Sequence, residues 1–226
     1  MQATGIIAEY NPFHNGHLYH IQETKRLTQQ PVIVVMSGSF MQRGEPAVLS
    51  KWQRASCAVQ GGADLVLELP CVFTLRSAEF FAKGAVQLLA ATGCVNTLAC
   101  GTEHPQSDFK AAASLACSAE AQARLRKLLQ NGLSYAQAWE KILGANTAFR
   151  SPNDILALEY TKALLQTAAD IQPLYLQRTD EGYNSTAIGS SISSASAIRR
   201  AIEDGNESWQ QAVPNYTHAA LAAGGY

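Results

Sequence analysis

Short apolar runs recur along the chain, and each is bounded by glycine, proline or aspartate. They are rich in aliphatic side chains, which is typical of strands that are buried on both faces of a sheet. The runs are TGIIAEY (4–10), PVIVVMSG (31–38), ADLVLELP (63–70), NTLACGT (96–102) and IQPLYLQR (171–178). We therefore expect a sheet of about five strands.

Helical patterns separate these runs. Three segments place apolar residues every three to four positions, namely HLYHIQETKRLTQ (17–29), VLSKWQRASCAVQGG (48–62) and SAEFFAKGAVQLLAATG (77–93). The last two end at glycines, which suit the left-handed conformation that often closes a helix. Because strands alternate with helices, the connections should be right-handed crossovers and the sheet parallel. The predicted fold class is a doubly wound, Rossmann-like α/β domain.

The character of the sequence changes after residue 107. From 108 to 168 it shows Ala-rich helical patterns without a convincing strand, which predicts a helical insertion. Residues 1–107 would then be the first part of the α/β domain. Residues 169–205 would complete it with the last strand, a serine-rich loop and a helix, and residues 206–226 would begin a further helical region.

Length and composition fit one folded domain. The 226 residues are 47% hydrophobic, enough to bury an α/β core. The net charge of -1 provides no overall positive field for nucleic acid, so RNA contact would need a local patch. Five cysteines without a CxxC pair argue against a disulfide framework. Without an apolar run of about 18 residues or a signal-peptide pattern, we expect a cytoplasmic protein that has no membrane partner.

The segment AEYNPFHNGHLYH (8–20) follows the first predicted strand and opens the first predicted helix. It therefore lies at the carboxyl end of a strand, where open α/β sheets bind ligands. Gly16 would let the backbone approach an anion, and the amides and dipole at the helix start would attract a phosphate. His14 and His17 would then frame that phosphate as hydrogen-bond donors.

Three histidines in seven positions leave other interpretations open. His17 and His20 share a helix face, but no Cys, Asp or Glu stands at a helpful spacing, so zinc is disfavoured and we predict no metal ligands. A helix cap with two surface imidazoles is the structural alternative for this segment. The position at the strand end favours phosphate binding by His14 and His17, with His20 more peripheral.

A second segment, ISSASAIRR (192–200), has the composition of a polar loop that leads into a helix. Taken alone, it is more typical of a flexible loop that caps a helix. Its arginines, Arg199 and Arg200, could neutralise the β- and γ-phosphates of a nucleotide. Hydroxyls and helix-start amides that could bind the same phosphates come from Ser193, Ser194 and Ser196.

Together the two segments favour nucleotidyl transfer. In this reaction a nucleophilic oxygen attacks the α-phosphate of a nucleoside triphosphate and pyrophosphate leaves. The protein mainly supplies donors where charge accumulates, with little covalent chemistry. The predicted catalytic residues are therefore His14, His17 and Arg199.

The pair HNGH and ISSASAIRR resembles the paired signatures of the HxGH nucleotidyltransferase superfamily. Longer strings are more specific, and together they resemble the bacterial tRNA(Met) cytidine acetate ligases over residues 4 to about 201. These strings are AEYNPFHNGHLYHI, VMSGSFMQRGEPAVLSKWQRA, GADLVLELP, SAEFFAKGAV, CGTE and SPNDILALEY. Members of that family continue further, so the resemblance implies a truncated chain or a short homologue.

The resemblance implies an enzyme that joins ATP and acetate into acetyl-adenylate and transfers the acetyl group to N4 of the wobble cytidine in elongator tRNA(Met). Acetate is already ionised at neutral pH, so the first step needs no general base. Mg²⁺ would be carried by the triphosphate. Two alternatives remain: a small-molecule adenylyltransferase of the same superfamily, and a non-catalytic nucleotide- or RNA-binding module. The sequence leaves the oligomeric state open.

The resemblance also assigns an ATP-binding segment. It comprises Ile7, Ala8, Glu9, Tyr10, Asn11, Pro12, Phe13, His14, Asn15, Gly16, His17, Leu18, Tyr19 and His20. Further nucleotide contacts are implied at strand ends and a helix start, at Gly101, Asn153 and Arg178. The segment after the second strand provides candidates for acetate, phosphate or RNA contacts, namely Gln42, Arg43, Lys51 and Arg54.

Overall fold

A computed structural model describes residues 2–144, 151–167, 170–178 and 194–224 of the chain. The strands are β1 (Ala3–Ala8), β2 (Val32–Ser37), β3 (Leu65–Leu69), β4 (Val95–Thr102) and β5 (Gln172–Gln177). The helices are α1 (Asn15–Thr28), α2 (Lys51–Gln60), α3 (Cys71–Thr74), α4 (Ala78–Ala91), α5 (Phe109–Ala116), α6 (Ala119–Gln130), α7 (Tyr135–Leu143), α8 (Pro152–Thr167), α9 (Ala195–Glu203) and α10 (Asn215–Ala223). A 3-10 helix spans Glu207–Ala212.

The five strands form one sheet in the order β3-β2-β1-β4-β5, and every neighbouring pair is parallel. The predicted parallel, doubly wound α/β fold is therefore confirmed. The strand order reverses at β1, whose neighbours are β2 on one side and β4 on the other. Such a reversal opens a crevice at the carboxyl ends of the two strands.

Each face of the sheet carries its own hydrophobic core. Successive residues of β1 point to opposite faces, so Ile6 joins the core beneath α1 and α2 while Ile7 packs against the core beneath α4, α5 and α8. Both cores contain residues of β4 as well, Ala99 in the first and Leu98 in the second. The central strands are buried on both sides, in agreement with their uninterrupted apolar sequences.

The first strand ends two residues earlier than its apolar pattern predicts. Tyr10 has a left-handed backbone with φ 52°, an uncommon conformation for a residue that carries a side chain. The chain leaves the sheet at Glu9 and turns towards α1. The tyrosine is 1% exposed and packs edge-on against Phe13, with ring centroids 4.9 Å apart.

The predicted second helix also begins later than expected. A reciprocal capping box between Ser50 and Gln53 sets the start of α2 at Lys51. The preceding Leu49 is buried in a third apolar cluster, formed with α9, the 3-10 helix and α10. The carboxyl-terminal helices are thus packed onto the loop that precedes α2. Among the described residues, no helix has both the length and the apolar character needed to cross a membrane.

The helices between β4 and β5 pack in two different ways. α5 and α8 lie against the sheet, and α8 also packs along α4. α6 and α7 form a smaller cluster around the fully buried Trp139. The Tyr135 hydroxyl joins this cluster to a buried ion pair within α8, because the Glu159 carboxylate accepts hydrogen bonds from Lys162 Nζ at 2.8 Å and from Tyr135 at 2.7 Å.

Substituting Lys162→Met should lower the free energy of unfolding by about 3–5 kcal/mol, because it leaves the Glu159 carboxylate buried without its cation. Urea unfolding would measure the loss. The matched control is Arg26→Met, which breaks an ion pair of the same i,i+3 spacing with Glu23 on the surface of α1 and should change little. Equal effects of the two substitutions would contradict a role for the buried pair.

Candidate functional site

A cavity opens at the carboxyl edge of the sheet, at the reversal between β1 and β4. It brings together most of the predicted site residues, from segments far apart in the chain. Those that line it are Ile7, Ala8, Glu9, Tyr10, Asn11, His14, Gly16, His17, Tyr19, His20, Gly101, Asn153, Arg178 and Arg199. Pro12, Phe13, Asn15, Leu18, Ser194 and Ser196 are outside the lining set, and Ser193 lies outside the described residues.

His14 and His17 form a stacked pair at the start of α1, with ring centroids 3.6 Å apart. His14 is the N-cap, and its Nδ1 accepts from the Gly16 amide at 3.0 Å. The Nδ1 of His17 accepts from the His14 amide at 3.3 Å. In a neutral imidazole that accepts at Nδ1, the proton sits on Nε2. The hydrogen bonds therefore assign both rings as Nε2–H donors towards a ligand.

Burial keeps these rings neutral. It lowers the pKa of His14 to about 3, and the positive charge of Arg178 acts in the same direction. The pKa of His17 also lies well below its ordinary value, chiefly through burial and further through His14. At neutral pH the pair consequently presents two fixed hydrogen-bond donors without a formal charge.

The amides of the first helical turn differ from expectation. The Gly16 amide donates to the His14 ring, while the amides of His17 and Leu18 donate to the His14 carbonyl at 2.9 and 3.0 Å. The His14 cap thus occupies donors that we expected to face a phosphate. An anion at this helix start would depend on the imidazole rings more than on those three amides.

His20 lies closer to the site than we predicted. Its ring lines the cavity, and its Nε2 is buried without a hydrogen-bond partner among the described residues. The Tyr10 hydroxyl and Asn11 Nδ2 are in the same condition. Buried polar atoms are usually paired in native proteins, so these three atoms of cavity-lining residues are available to hydrogen-bond a polar ligand.

The wall of the cavity opposite α1 contains the predicted nucleotide contacts Gly101, Asn153 and Arg178. The Glu103 carboxylate links two of them, since Oε1 accepts from Asn153 Nδ2 at 2.7 Å and lies 3.5 Å from Arg178 Nε. Glu103 was not predicted as a site residue. It orients an amide and a guanidinium that enter from different elements.

A buried carboxylate, that of Asp154, holds the elements of this wall together. Asp154 is fully buried at the start of α8 and accepts from the Thr102 hydroxyl and from the Glu103 amide. It also lies 2.8 Å from His104 Nδ1 and accepts from the Ser151 hydroxyl at 2.7 Å. These contacts fix the end of β4 to the start of α8, and thereby hold Gly101 and Asn153 in place.

Arg199 enters the cavity from α9. Its guanidinium donates to the Asn11 carbonyl at 2.9 Å and pairs with Glu45 Oε2 at 2.9 Å. By contrast, Arg200 is exposed and lies 3.8 Å from Asp204 on its own helix. Of the two arginines that we considered for phosphate binding, the structure places Arg199 in the lining.

The serines of the second motif cap α9. Ser194 is the N-cap residue and accepts from the Ala197 amide at 3.2 Å, and its hydroxyl lies 3.1 Å from that of Ser196. Within the described residues these hydroxyls have a structural role at the helix start. Their binding to phosphate stays a prediction.

The prediction that Arg54 contacts substrate or RNA is wrong. Its side chain is 0% exposed. The guanidinium instead donates to four backbone carbonyls at the ends of β1 and β2 and in the loop before α2. These carbonyls belong to Glu9, Ser37, Gly38 and Leu49.

The other candidates after β2, Gln42, Arg43 and Lys51, are outside the lining set of the cavity. The Gln42 amide donates to Glu9 Oε1 at 2.6 Å, and its side chain donates to the Arg76 carbonyl at 2.7 Å. Arg43 is exposed, and Lys51 pairs with Glu68 at 2.7 Å. These contacts fix the loop, and direct binding of substrate by the three residues stays a prediction.

Several lining residues, most of them apolar, were absent from the predicted site. They are Phe81, Ala99, Cys100, Leu156, Tyr160, Leu176, Gln177 and Ala195. Leu156 and Tyr160 follow Asn153 by three and seven positions, the spacing that places residues on one face of a helix. That spacing could have identified them once Asn153 was assigned to the site.

The class of protein follows from this architecture and from a family comparison. A model of the HIGH Nucleotidyl Transferase family matches residues 1–224, and the chain belongs to that family. Within it, the chain is 46% identical over 227 residues to the tRNA(Met) cytidine acetate ligase of Leuconostoc mesenteroides and 44% identical over 218 residues to that of Acetivibrio thermocellus. The resemblance inferred from the motifs is confirmed.

These alignments cover 98% and 91% of the chain but 57% and 52% of the two relatives, so the chain spans a little over half of their length. The apo crystal structure of Thermotoga maritima TmcAL superposes with a TM-score of 0.88 at 34% identity. The structure of the same protein bound with alpha-thio ATP gives a TM-score of 0.84. Each match covers 99% of this chain and 56% of the TmcAL chain.

Acid should destabilise the protein through the cavity histidines. An unfolded histidine takes up a proton near pH 6.5, whereas burial lowers the pKa of His14 to about 3 and of His20 to about 4. Between these values the unfolded state binds more protons, so the free energy of unfolding falls as the pH falls. For His14 the cost is about 2 kcal/mol at pH 5.

Thermal unfolding at pH 7, 6 and 5 would measure this effect, with His20→Gln as the test variant. The glutamine does not titrate, so the variant should lose less stability between pH 7 and 5 than the wild type. Parallel pH profiles for the two proteins would contradict the assignment.

Proposed function

We propose that the chain forms acetyl-adenylate from ATP and acetate and serves the transfer of the acetyl group to N4 of the wobble cytidine in elongator tRNA(Met). The observation that carries the first step is the pair of neutral Nε2–H donors on His14 and His17 at the sheet reversal. The specific reaction is supported by relatives named tRNA(Met) cytidine acetate ligase and by the TmcAL structure bound with alpha-thio ATP.

In the proposed first step, an acetate oxygen attacks the α-phosphorus of ATP and pyrophosphate leaves with the electron pair of the broken P–O bond. Acetate is ionised at neutral pH, so no residue has to remove a proton. Negative charge grows on the phosphate oxygens during the displacement. Fixed donors such as the His14 and His17 rings stabilise that charge without reorganising.

The outer phosphates and the nucleoside of ATP would bind to different parts of the cavity. Arg199 would exchange its contacts with Asn11 and Glu45 for the outer phosphates, since a guanidinium binds phosphate in a bidentate manner. The nucleoside would lie towards Gly101, Asn153 and Arg178, which Glu103 and Asp154 hold in position.

Mg²⁺ would accompany the triphosphate. Among the described residues, no group of three or more His, Cys, Asp and Glu side chains is arranged to hold a metal ion. The ion would therefore be bound mainly by phosphate oxygens and water, as Mg²⁺ often is at nucleotide sites.

Release of pyrophosphate from ATP should depend on acetate and should fall by about 10²–10³-fold in the variants His14→Asn and His17→Gln. Both variants keep the helix cap, because asparagine is a good N-cap and glutamine at the third position can complete a capping box. Each removes the imidazole ring and with it the rigidly held ring N–H donor. The assay is pyrophosphate release with and without acetate, and with and without tRNA(Met).

The control for these variants is His218→Gln in α10, which lies outside the cavity lining and should keep wild-type turnover. Pyrophosphate release that requires a phosphorylated small molecule instead of acetate would favour the small-molecule adenylyltransferase. ATP binding without any turnover would favour a binding module. Full activity in both histidine variants would refute the proposed mechanism.

A further inference from the structure

Glu9 is the one acidic residue among the described residues that line the cavity. It stands directly beyond β1, two positions after Ile7, whose side chain packs on the α4 and α8 side of the sheet. Tyr160 in α8 lines the same cavity as Glu9, and its pKa is raised above its ordinary value chiefly by burial and further by the charges of Cys100 and Glu9. Glu9 therefore belongs to the half of the cavity opposite α1.

The two halves of the cavity differ in chemistry. The α1 half contains the three imidazoles, which suit a phosphate. The half near Glu9 is lined by the side chains of Phe81, Cys100, Leu156 and Tyr160, and thus offers apolar and aromatic surface around a single carboxylate. An aromatic wall with one hydrogen-bonding group is the kind of pocket that accepts an extruded nucleobase.

A carboxylate is unexpected in a site that binds a polyanion, because its charge repels the triphosphate. Burial also disfavours the charged form and raises the pKa of Glu9. The structure holds it in place: Oε1 accepts from the Gln42 amide at 2.6 Å, and the Glu9 carbonyl accepts from the Arg54 guanidinium. Arg43 and Arg199 provide positive charge nearby, while Glu45 opposes it. A carboxylate offers about four acceptor positions, so capacity for a donor on the ligand remains.

We propose that Glu9 accepts a hydrogen bond from the exocyclic amine of the target cytidine and receives a proton from that amine during acetyl transfer. This inference rests on the proposed function. Carboxylates are natural acceptors for the cytosine N4 amine. The adenine of ATP carries the same kind of amine, and its proposed contacts Gly101 and Asn153 share β4 and α8 with this half of the cavity. Separate measurement of the two half-reactions distinguishes the two amines.

In the proposed acetyl transfer, the N4 lone pair attacks the carbonyl carbon of acetyl-adenylate, and a C–N bond forms. The bond from that carbon to the phosphate oxygen breaks, and AMP leaves with the electron pair. The surplus N4 proton passes to the Glu9 carboxylate, which later releases it to solvent. The products are N4-acetylcytidine and AMP.

The test compares the two half-reactions in Glu9→Gln. Glutamine can still accept the Gln42 amide hydrogen bond but cannot take a proton. The first half-reaction is measured as acetate-dependent exchange of pyrophosphate into ATP. The second is measured as single-turnover transfer to tRNA(Met) from added, chemically prepared acetyl-adenylate, so that it does not depend on the first.

We expect the transfer rate to fall by about 10²- to 10⁴-fold in Glu9→Gln, at least ten times more than the exchange rate. Glu9→Asp keeps a carboxylate one methylene further back and should show intermediate transfer. The matched control is Glu120→Gln, an exposed carboxylate of α6, with wild-type rates in both assays.

Equal losses in the two half-reactions, or a raised KM for ATP with normal transfer, would overturn the proposal and assign Glu9 to the ATP site. Transfer that survives in Glu9→Gln would also overturn it. So would a wild-type chain that transfers to neither tRNA(Met) nor an anticodon stem-loop, because the amine site would then lie elsewhere. A lack of acetate-dependent exchange in the wild type, with normal transfer from added acetyl-adenylate, would contradict the proposed function alone.

Discussion

The geometry of the site depends on one buried guanidinium. Arg54 donates to carbonyls at the ends of β1 and β2 and in the loop before α2, among them those of Glu9, Gly38 and Leu49. Burial lowers its pKa to about 10, so it remains charged at neutral pH. The rigid, planar guanidinium can donate hydrogen bonds to carbonyls that diverge from the sheet, which a single ammonium group could not do. The wall that carries the histidine pair therefore begins at a strand end that this contact fixes.

The turn after β1 also restricts the positions of the His14 and His17 rings. Tyr10 adopts an uncommon left-handed backbone, and such a conformation persists when the surrounding packing determines it. Its buried ring packs edge-on against Phe13 and against His17, with centroids 4.9 and 4.8 Å apart. Together with the His14 cap, these contacts leave the imidazoles little freedom, which is the condition for donors that act without reorganising.

Sequence reasoning succeeded where the physical signal is local. Buried parallel strands show as short aliphatic runs, and the position of His14 and His17 after β1 follows from strand, loop and helix in succession. It failed for Arg54, whose helical surroundings resemble a solvated face while its acceptors lie up to 45 residues away. The network of Glu103 and Asp154 likewise spans about 50 residues. Such contacts exist only once the strands are paired, so no local pattern contains them.

The neutrality of the imidazole pair is itself informative about how the site could work. Charged rings would attract ATP, the transition state and the departing pyrophosphate alike, and uniform attraction does not accelerate a chemical step. In the proposed reaction, neutral Nε2–H donors would interact most strongly where charge is concentrated, so their contribution would grow as the α-phosphate oxygens gain charge. Burial of His14 and His17, which costs the protein stability in acid, would thus provide donors whose effect is greatest in the transition state of that reaction.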